Sequence, residues 1–199
     1  MSDTTPTDRL VFKQDARSRV EWTPMPGTPG LVLKTFLHSP LKQRFTYALG
    51  LHPAQAERRT AHWLEQLRIP VVPIQSIGVF RSAEGRATFR VHILTAYQGS
   101  SLQHALGKAN RNDHPRILAA VAPLVRQLLD RRIFFKDLKA SNIVLGLDAP
   151  NTLDPKLIDT GSARRGLSPT QRQRMLDMLR QTCLDVGADP ASLDRLDLG

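Results

Sequence analysis

Phe134-Phe135-Lys136-Asp137-Leu138-Lys139-Ala140-Ser141-Asn142-Ile143-Val144-Leu145 is the stretch around which this chain is organised. Past a turn-rich insert, residues 146–155, comes Leu157-Ile158-Asp159-Thr160-Gly161. In order these are an Asp, an Asn five positions on, a short apolar strand, a turn, a second short strand and Asp-x-Gly. Each polar residue alone has an ordinary explanation, because short polar side chains bond readily to nearby backbone. Asp137 suits a turn, Asn142 a backbone cap and Asp159 a strand end. Their succession around two apolar strands is more specific than any one of them.

Upstream, residues 9–20 are expected to hold a first short strand. Residues 23–30, dense in Pro and Gly, read as a β-hairpin turn, since Pro fixes φ and Gly permits positive φ. Residues 31–37 form the next strand, and a period of two puts Val32, Lys34 and Phe36 on one face. A lysine between apolar neighbours is either an edge residue with its amine in water or an inward cation. Residues 38–52 are expected to be a basic loop. Pro53 suits the first turn of a helix running to about Leu67. On it Glu57 shares a stripe with Ala61 and Leu64. An inward carboxylate costs several kcal/mol unless a cation meets it. Lys34 is the natural partner. The alternatives are an exposed first-turn Glu57 favoured by the helix dipole, and Glu65, on a more polar face, as the partner.

Ile69-Pro70-Val71-Val72-Pro73 ends that helix. Residues 74–80 and 88–95 read as two strands around a turn at 82–86, followed by a linker. Ser100 or Ser101 can cap a short helix over 102–106. Asp113-His114-Pro115 opens a longer one with Ile117, Leu118, Val121, Leu124, Val125, Leu128 and Leu129 at helical spacing and Pro123 as a kink. Residues 143–145 and 156–158 are short strands. Ser168-Pro169-Thr170-Gln171 starts a capping-box helix with Met175, Leu176 and Leu179 inward, and Asp189-Pro190 opens a last short one. Strands first and helices after give an α+β class.

The 199 residues suffice for one domain, expected over 9–199, after a polar N-terminus, residues 1–8, expected to be disordered. No run approaches the roughly 18 apolar residues of a bilayer span, and the first residues do not read as a secretory signal. Cys183 is the single cysteine, which excludes an internal disulfide and fits a reducing, cytoplasmic setting. Twenty-eight Lys+Arg against eighteen Asp+Glu give +10, which favours anionic partners: nucleic acid, phosphorylated sugars or the inner membrane surface. The basic residues are scattered pairs, Arg58-Arg59, Arg131-Arg132 and Arg164-Arg165. Zinc-finger spacing and RNA-binding aromatic motifs are lacking, which argues against nucleic acid as the partner.

A strand lysine, a helix glutamate, Lys-Asp-x-Lys-x-x-Asn, an apolar strand and apolar-apolar-Asp-x-Gly, in that order, resemble the catalytic core of the protein-kinase-like superfamily. Phe135-Lys136-Asp137 stands for H-R-D, and Asp159-Thr160-Gly161 for D-F-G. Within that superfamily the chain is similar, over about residues 30–165, to the lipopolysaccharide kinase family. These are small bacterial kinase-fold proteins, with their relatives, that phosphorylate inner-core sugars (heptose or 3-deoxy-manno-octulosonic acid). The matching pieces are Ala56-Glu57 with Leu64 and Leu67 before Ile69-Pro70-Val71, then Arg132 to Asp137, Asn142 to Leu145, and Leu157-Ile158-Asp159. The resemblance implies a two-lobed fold, with a small β-rich N-lobe over about 9–95 and an abbreviated α-rich C-lobe over about 100–199. It implies ATP and Mg²⁺ as cofactors. Lys34, held by Glu57, would pin the α and β phosphates. Asn142 and Asp159 would offer oxygens to Mg²⁺, a hard cation. Asp137 would orient or accept the proton of the acceptor hydroxyl, and Lys139 would neutralise charge on the moving γ phosphate.

The chain also departs from the kinase pattern. Before the lysine strand stands Pro26-Gly27-Thr28-Pro29-Gly30, a stiffer turn than G-x-G-x-x-G. Val32 occupies a position that is often Ala, Phe135 replaces His and Thr160 replaces Phe. No A-P-E follows Gly161, and the 38 residues left (199 − 161) are few for a peptide-docking lobe. A small or saccharide acceptor is therefore expected, foremost a lipopolysaccharide inner-core sugar. Such an acceptor is assembled at the inner membrane, where basic residues favour peripheral contact. Arg164-Arg165 either touch an anionic acceptor or are simply solvated. A second expectation is a pseudokinase that binds nucleotide or partners without turnover, favoured by the altered turn and D-F-G and opposed by the intact polar set. A third, a nucleic-acid binder, rests on charge alone.

Overall fold

The computed structural model describes residues 10–25, 28–80, 90–96, 99–149 and 152–196. The N-terminus expected to be disordered and the turn expected at 82–86 lie outside the described residues. The chain divides into two compact units, Met1–Arg59 with Pro73–Tyr97, and Thr60–Val72 with Gln98–Gly199.

The first unit contains strands β1 (Leu10–Gln14), β2 (Ser18–Met25) and β3 (Thr28–Phe36), helix α1 (Pro40–Ala48), the start of helix α2 (Pro53–Gln66), and strands β4 (Ile74–Phe80) and β5 (Arg90–Ala96). The strands form one antiparallel sheet in the order β1-β2-β3-β5-β4. Residues 9–20 were expected to hold one strand, and two strands share that stretch. Asp15 Oδ1 accepts from the Arg17 and Ser18 amides at 2.8 and 2.7 Å, and this side-chain turn reverses the chain. The hairpin of β2 and β3 places Trp22 opposite Val32 and Met25 opposite Thr28. Gly30 has φ +90°, and a Cβ there would collide with the Trp22 indole, so the close approach needs glycine. Phe36, Ala54, Val91 and Ile93 form the buried core of this unit, with Tyr47, Ile74 and Ile77 packed on it.

Helix α1 corrects the expectation of a loop over 38–52. It starts at Ser39-Pro40, and its inward residue is Gln43, which is fully buried. The Gln43 amide donates to the Phe36 and His38 carbonyls at 3.0 and 2.6 Å and accepts from the Val91 amide at 2.8 Å, so it fastens α1 to β3 and β5. The helix ends in a Schellman turn: Leu51 N–H donates to Thr46 O, Gly50 N–H to Tyr47 O, and Gly50 takes φ +70°. Leu41, Phe45 and Leu49 have helical spacing in the sequence; the helix buries its polar face and exposes this apolar one.

The second unit continues with β6 (Ser100–Ser101), α3 (Leu102–Lys108), α4 (His114–Asp130), β7 (Ile133–Phe135), β8 (Ile143–Ala149), β9 (Thr152–Leu157), β10 (Ala163–Arg165) and α5 (Pro169–Leu184). Tight 3-10 turns fill Ala140–Asn142, Thr160–Ser162 and Pro190–Leu196. β6, β8 and β9 pair in that order, and β10 pairs with β7. β8 and β9 pair out to Ala149 opposite Thr152, so most of the insert expected at 146–155 is strand. Pro155 is tolerated there because β9 lies on the edge of the three-stranded sheet. The expected α4 stripe is buried except for Leu129, which is partly buried against the core, and Pro123 lies within the helix. Ile117, Leu118, Val121, Leu124, Val125 and Leu128 join one continuous core with Phe135, Leu138, Ile143, Leu157, Met175 and Leu179. Each such side chain contributes roughly 1.5–3 kcal/mol when fully buried. Ser101 caps α3 through His104 N–H, and Ser168 and Gln171 close the capping box of α5.

Candidate active site

The predicted residues fall into two sets, one in each unit. In the first unit Lys34 lies on β3, the central strand, with Val20 and Ile93 as its cross-strand neighbours. A central strand excludes the edge-lysine alternative. Its ammonium has left water for a mostly buried face, and Nζ lies 2.9 Å from Glu57 Oε2. The two side chains are 17% and 10% exposed. Nζ also stands 5.4 Å from the centre of the Phe36 ring, within cation–π range. Glu57 is therefore the partner of the lysine. Glu65 instead lies 3.8 Å from the exposed His62 imidazole.

Glu57 is held by the start of α2. His52 precedes the helix, and its Nδ1 accepts from the Ala54 amide at 3.1 Å while its own amide approaches Gln55 Oε1 at 3.4 Å. The arrangement is a capping box with an imidazole in place of a hydroxyl. His52 is fully buried, edge-on to Phe36 at 5.0 Å, and its Nε2 has no hydrogen-bond partner. Burial, with the nearby His38, holds this imidazole down at about 4.

In the second unit Asp137, Lys139, Asn142 and Asp159 are brought together by backbone bonds around one residue. Asn142 is 5% exposed. Its amide N–H donates to Lys139 O at 2.9 Å, and its carbonyl accepts from Ile158 N–H at 3.0 Å. Its side-chain nitrogen donates to Asp137 O at 3.0 Å. None of those bonds uses the side-chain oxygen. The Ile158 bond also sets Asp159 one residue beyond the partner of Asn142. Asp159 is exposed and left-handed, with φ 55° and ψ 43°. Asp159 shares positive φ with Arg68 and Arg132, and Asp is among the residues that tolerate this region. Thr160, in the place of the D-F-G phenylalanine, is 3% exposed.

Three supporting contacts escape a reading of the sequence. Ser162 Oγ accepts from Asp137 N–H at 3.3 Å, Thr182 Oγ1 from Ala140 N–H at 3.0 Å, and Met175 Sδ from Phe135 N–H at 3.4 Å. Together they tie the loop to the Thr160–Ser162 turn and to α5. Their sequence separations of 25, 42 and 40 leave no local signal. Arg164 and Arg165 are exposed on β10, with their guanidinium groups 4.9 Å from the Phe134 ring centre and 5.7 Å from that of Trp63. Stacking fixes both while leaving them open to an anion.

The donor set suits Mg²⁺ bound with a nucleotide. Among the described residues no group of three or more His, Cys, Asp and Glu could hold a metal. Mg²⁺ on a nucleotide needs no such cage, because phosphate oxygens and water complete its octahedron around one or two protein oxygens. Asn142 and Asp159 supply two of that kind.

No family model matches the sequence, and no curated protein matches it. Among solved structures the chain is similar to WaaP in complex with acyl carrier protein, at 17% identity over 96% of this chain and 77% of that one, with a TM-score of 0.60. At that identity the likeness carries the fold alone: a mixed arrangement of antiparallel sheet and helices like that of WaaP. The resemblance drawn from the motifs thus has its counterpart in the architecture. Among the described residues no helix is long and apolar enough to cross a membrane.

Proposed function

We propose that this protein is a phosphotransferase that moves the γ-phosphoryl group of ATP to a hydroxyl of a saccharide acceptor, foremost a lipopolysaccharide inner-core sugar. The observation that carries the reading is the cluster built on Asn142, which ties Asp137 through its side chain and Ile158-Asp159 through its backbone. Asn142 reaches the Asp137 backbone through its side-chain nitrogen and the residue before Asp159 through its own carbonyl, which favours one shared polar site over two unrelated turns. Lys34, oriented by Glu57, pins the α and β phosphates. Asp137 orients the acceptor hydroxyl and takes up its proton. Lys139 offsets negative charge on the transferred group. Mg²⁺, when bound through Asn142 and Asp159, supplies charge neutralisation and alignment of the phosphates. The paired arginines of β10 are placed to meet an anionic acceptor. Such acceptors are assembled at the cytoplasmic face of the inner membrane, where this enzyme would act.

The test is acceptor-dependent release of ADP from Mg-ATP by the full chain, together with a melting-point rise on adding Mg-ATP. The wild type should show both. Asp137→Asn should keep the melting shift and lose turnover, and Asp159→Ala should lose both. A binding-only module is the second reading, favoured by Gly30 packed against Trp22 where a mobile glycine loop would otherwise stand. It predicts a melting shift with no acceptor-dependent ADP from any phosphorylatable sugar. Absence of both signals in the wild type overturns the nucleotide assignment itself.

A further inference from the structure

Helix α1 is built inside out. A turn of about 100° per residue places Leu41, Phe45 and Leu49 within an arc of roughly 80°, and Gln43 almost opposite its centre. Gln43 faces the core and is fully buried, whereas Leu41, Phe45 and Leu49 are 80%, 65% and 55% exposed. The Schellman turn at Gly50 then presents Leu51, 68% exposed, where such a turn ordinarily folds its apolar residue back on the helix. Four of the seven large apolar side chains exposed among the described residues thus fall in one short segment. Scattered exposed leucines are ordinary, but a contiguous stripe marks an interaction surface.

The charges around the stripe identify what it meets. Exposed Lys42 and Arg44 flank it on either side on the same helix. Exposed Arg58 and Arg59 follow, and the Arg59 guanidinium donates to the Gly50 carbonyl at 3.0 Å, between Leu49 and Leu51. No acidic residue occurs between Glu21 and Glu57. Glu57, the first to appear, is buried against Lys34. An apolar ridge flanked on its own helix by exposed cations, in a segment without acidic residues, matches the boundary of an anionic bilayer, where acyl chains take the leucine and phenylalanine side chains and headgroup phosphates take the basic ones.

We propose that α1, with Leu51 and the basic start of α2, is a docking surface for an anionic phospholipid membrane, on which the helix lies flat. Lipid docking goes beyond phosphoryl transfer and does not depend on it. The test is flotation of the full chain with vesicles of phosphatidylcholine alone, or with about one-third phosphatidylglycerol, at low and high salt. The wild type should float with the mixed vesicles at low salt and be released by salt. Phe45→Ser and Leu41→Ser should each weaken partitioning on the order of tenfold, and Lys42→Gln and Arg44→Gln several-fold. Because these side chains are exposed, their melting curves should match the wild type. Leu184→Ser, on a helix of the other unit, should float normally.

Equal flotation with neutral vesicles, or flotation that survives Phe45→Ser, overturns the proposal. So does a wild type that stays off vesicles but forms a dimer that Phe45→Ser dissolves in light scattering, since a second copy would then be the occupant. ADP release with a soluble acceptor is read separately. Its failure with flotation intact would leave lipid docking standing and remove the kinase reading, and the reverse result would do the opposite.

Discussion

Removing Glu57 should damage the protein more than removing Glu57 and Lys34 together. The pair has an N···O separation of 2.9 Å, with 17% and 10% of the side chains exposed. At an effective dielectric constant of ~20, unit charges so placed attract by about 6 kcal/mol, most of it offset by the desolvation of both groups. Truncating one partner forfeits the attraction and leaves the other desolvated, which costs about 3–5 kcal/mol for a buried pair. Residual exposure of Lys34 puts Glu57→Met near the lower end, at about 3 kcal/mol. For a chain of this size that lowers the melting temperature by roughly 6–12 °C. Lys34→Met should cost less, because the remaining carboxylate can be protonated. The double variant replaces the pair by apolar atoms of similar bulk and should recover most of the loss, giving a coupling of roughly 2 kcal/mol. Urea denaturation of the wild type, both single variants and the double variant measures this cycle. Acceptor-dependent ADP release measured on the same four proteins separates stability from chemistry. The double variant should be stable and inactive. Additivity within about 0.5 kcal/mol, or turnover that survives Lys34→Met, would refute the reasoning.

Asn142→Asp should destabilise by about 1–3 kcal/mol, because it swaps the donor that faces Asp137 O for a second acceptor at a buried site. An unchanged denaturation midpoint would contradict that. His52, with a folded-state value lowered to about 4 from the usual 6.5, stays neutral while the unfolded chain takes up a proton. Its contribution is therefore fully present above pH 6.5 and is lost as pH falls towards 4, on the order of 3 kcal/mol in all. His52→Asn keeps a capping acceptor without the titration and should flatten that part of the pH–stability curve. An identical slope in the variant would assign the dependence elsewhere. Cys183 is fully buried, and desolvation pushes its thiol up to about 12. Ellman's reagent should react with it only after unfolding, and rapid labelling of the native protein would show that the core around α5 opens.

The polar cluster was legible in sequence because its members are locally constrained. Asp137, Asn142 and Asp159 sit at fixed offsets from two apolar strands, and the backbone bonds that unite them span those short distances. Lys34 and Glu57 were legible only as candidates. Periodicity gave each an inward face, but the choice between an edge and a central lysine needed the strand order, which puts β5 on the far side of β3. Met175 was legible as an inward residue and is fully buried, but its bond to Phe135, like those of Ser162 and Thr182, left no trace, since each meets its partner only after the chain has folded back across tens of residues. The length of β8 and β9 was missed because Gly, Asp and Pro signal a turn locally, while an edge strand accepts them.

The failure at α1 has a different origin. Leu41, Phe45 and Leu49 have helical spacing, and Ser39-Pro40 is an adequate start. The helix was therefore legible, and the reading of 38–52 as a basic loop passed over it; only the direction of the stripe, away from the core, had no local signal. In α1 the one buried residue is a glutamine that spends its three hydrogen bonds on Phe36, His38 and Val91, with Tyr47 packed beside it on the core of the unit. Burying that amide would be costly unpaired, and its complete pairing lets the helix attach with little apolar contact. The leucines and the phenylalanine are thereby released from any structural task. Side chains that cost solubility and add no packing to their own unit are best explained by something outside it. A local rule broken in this way points to function.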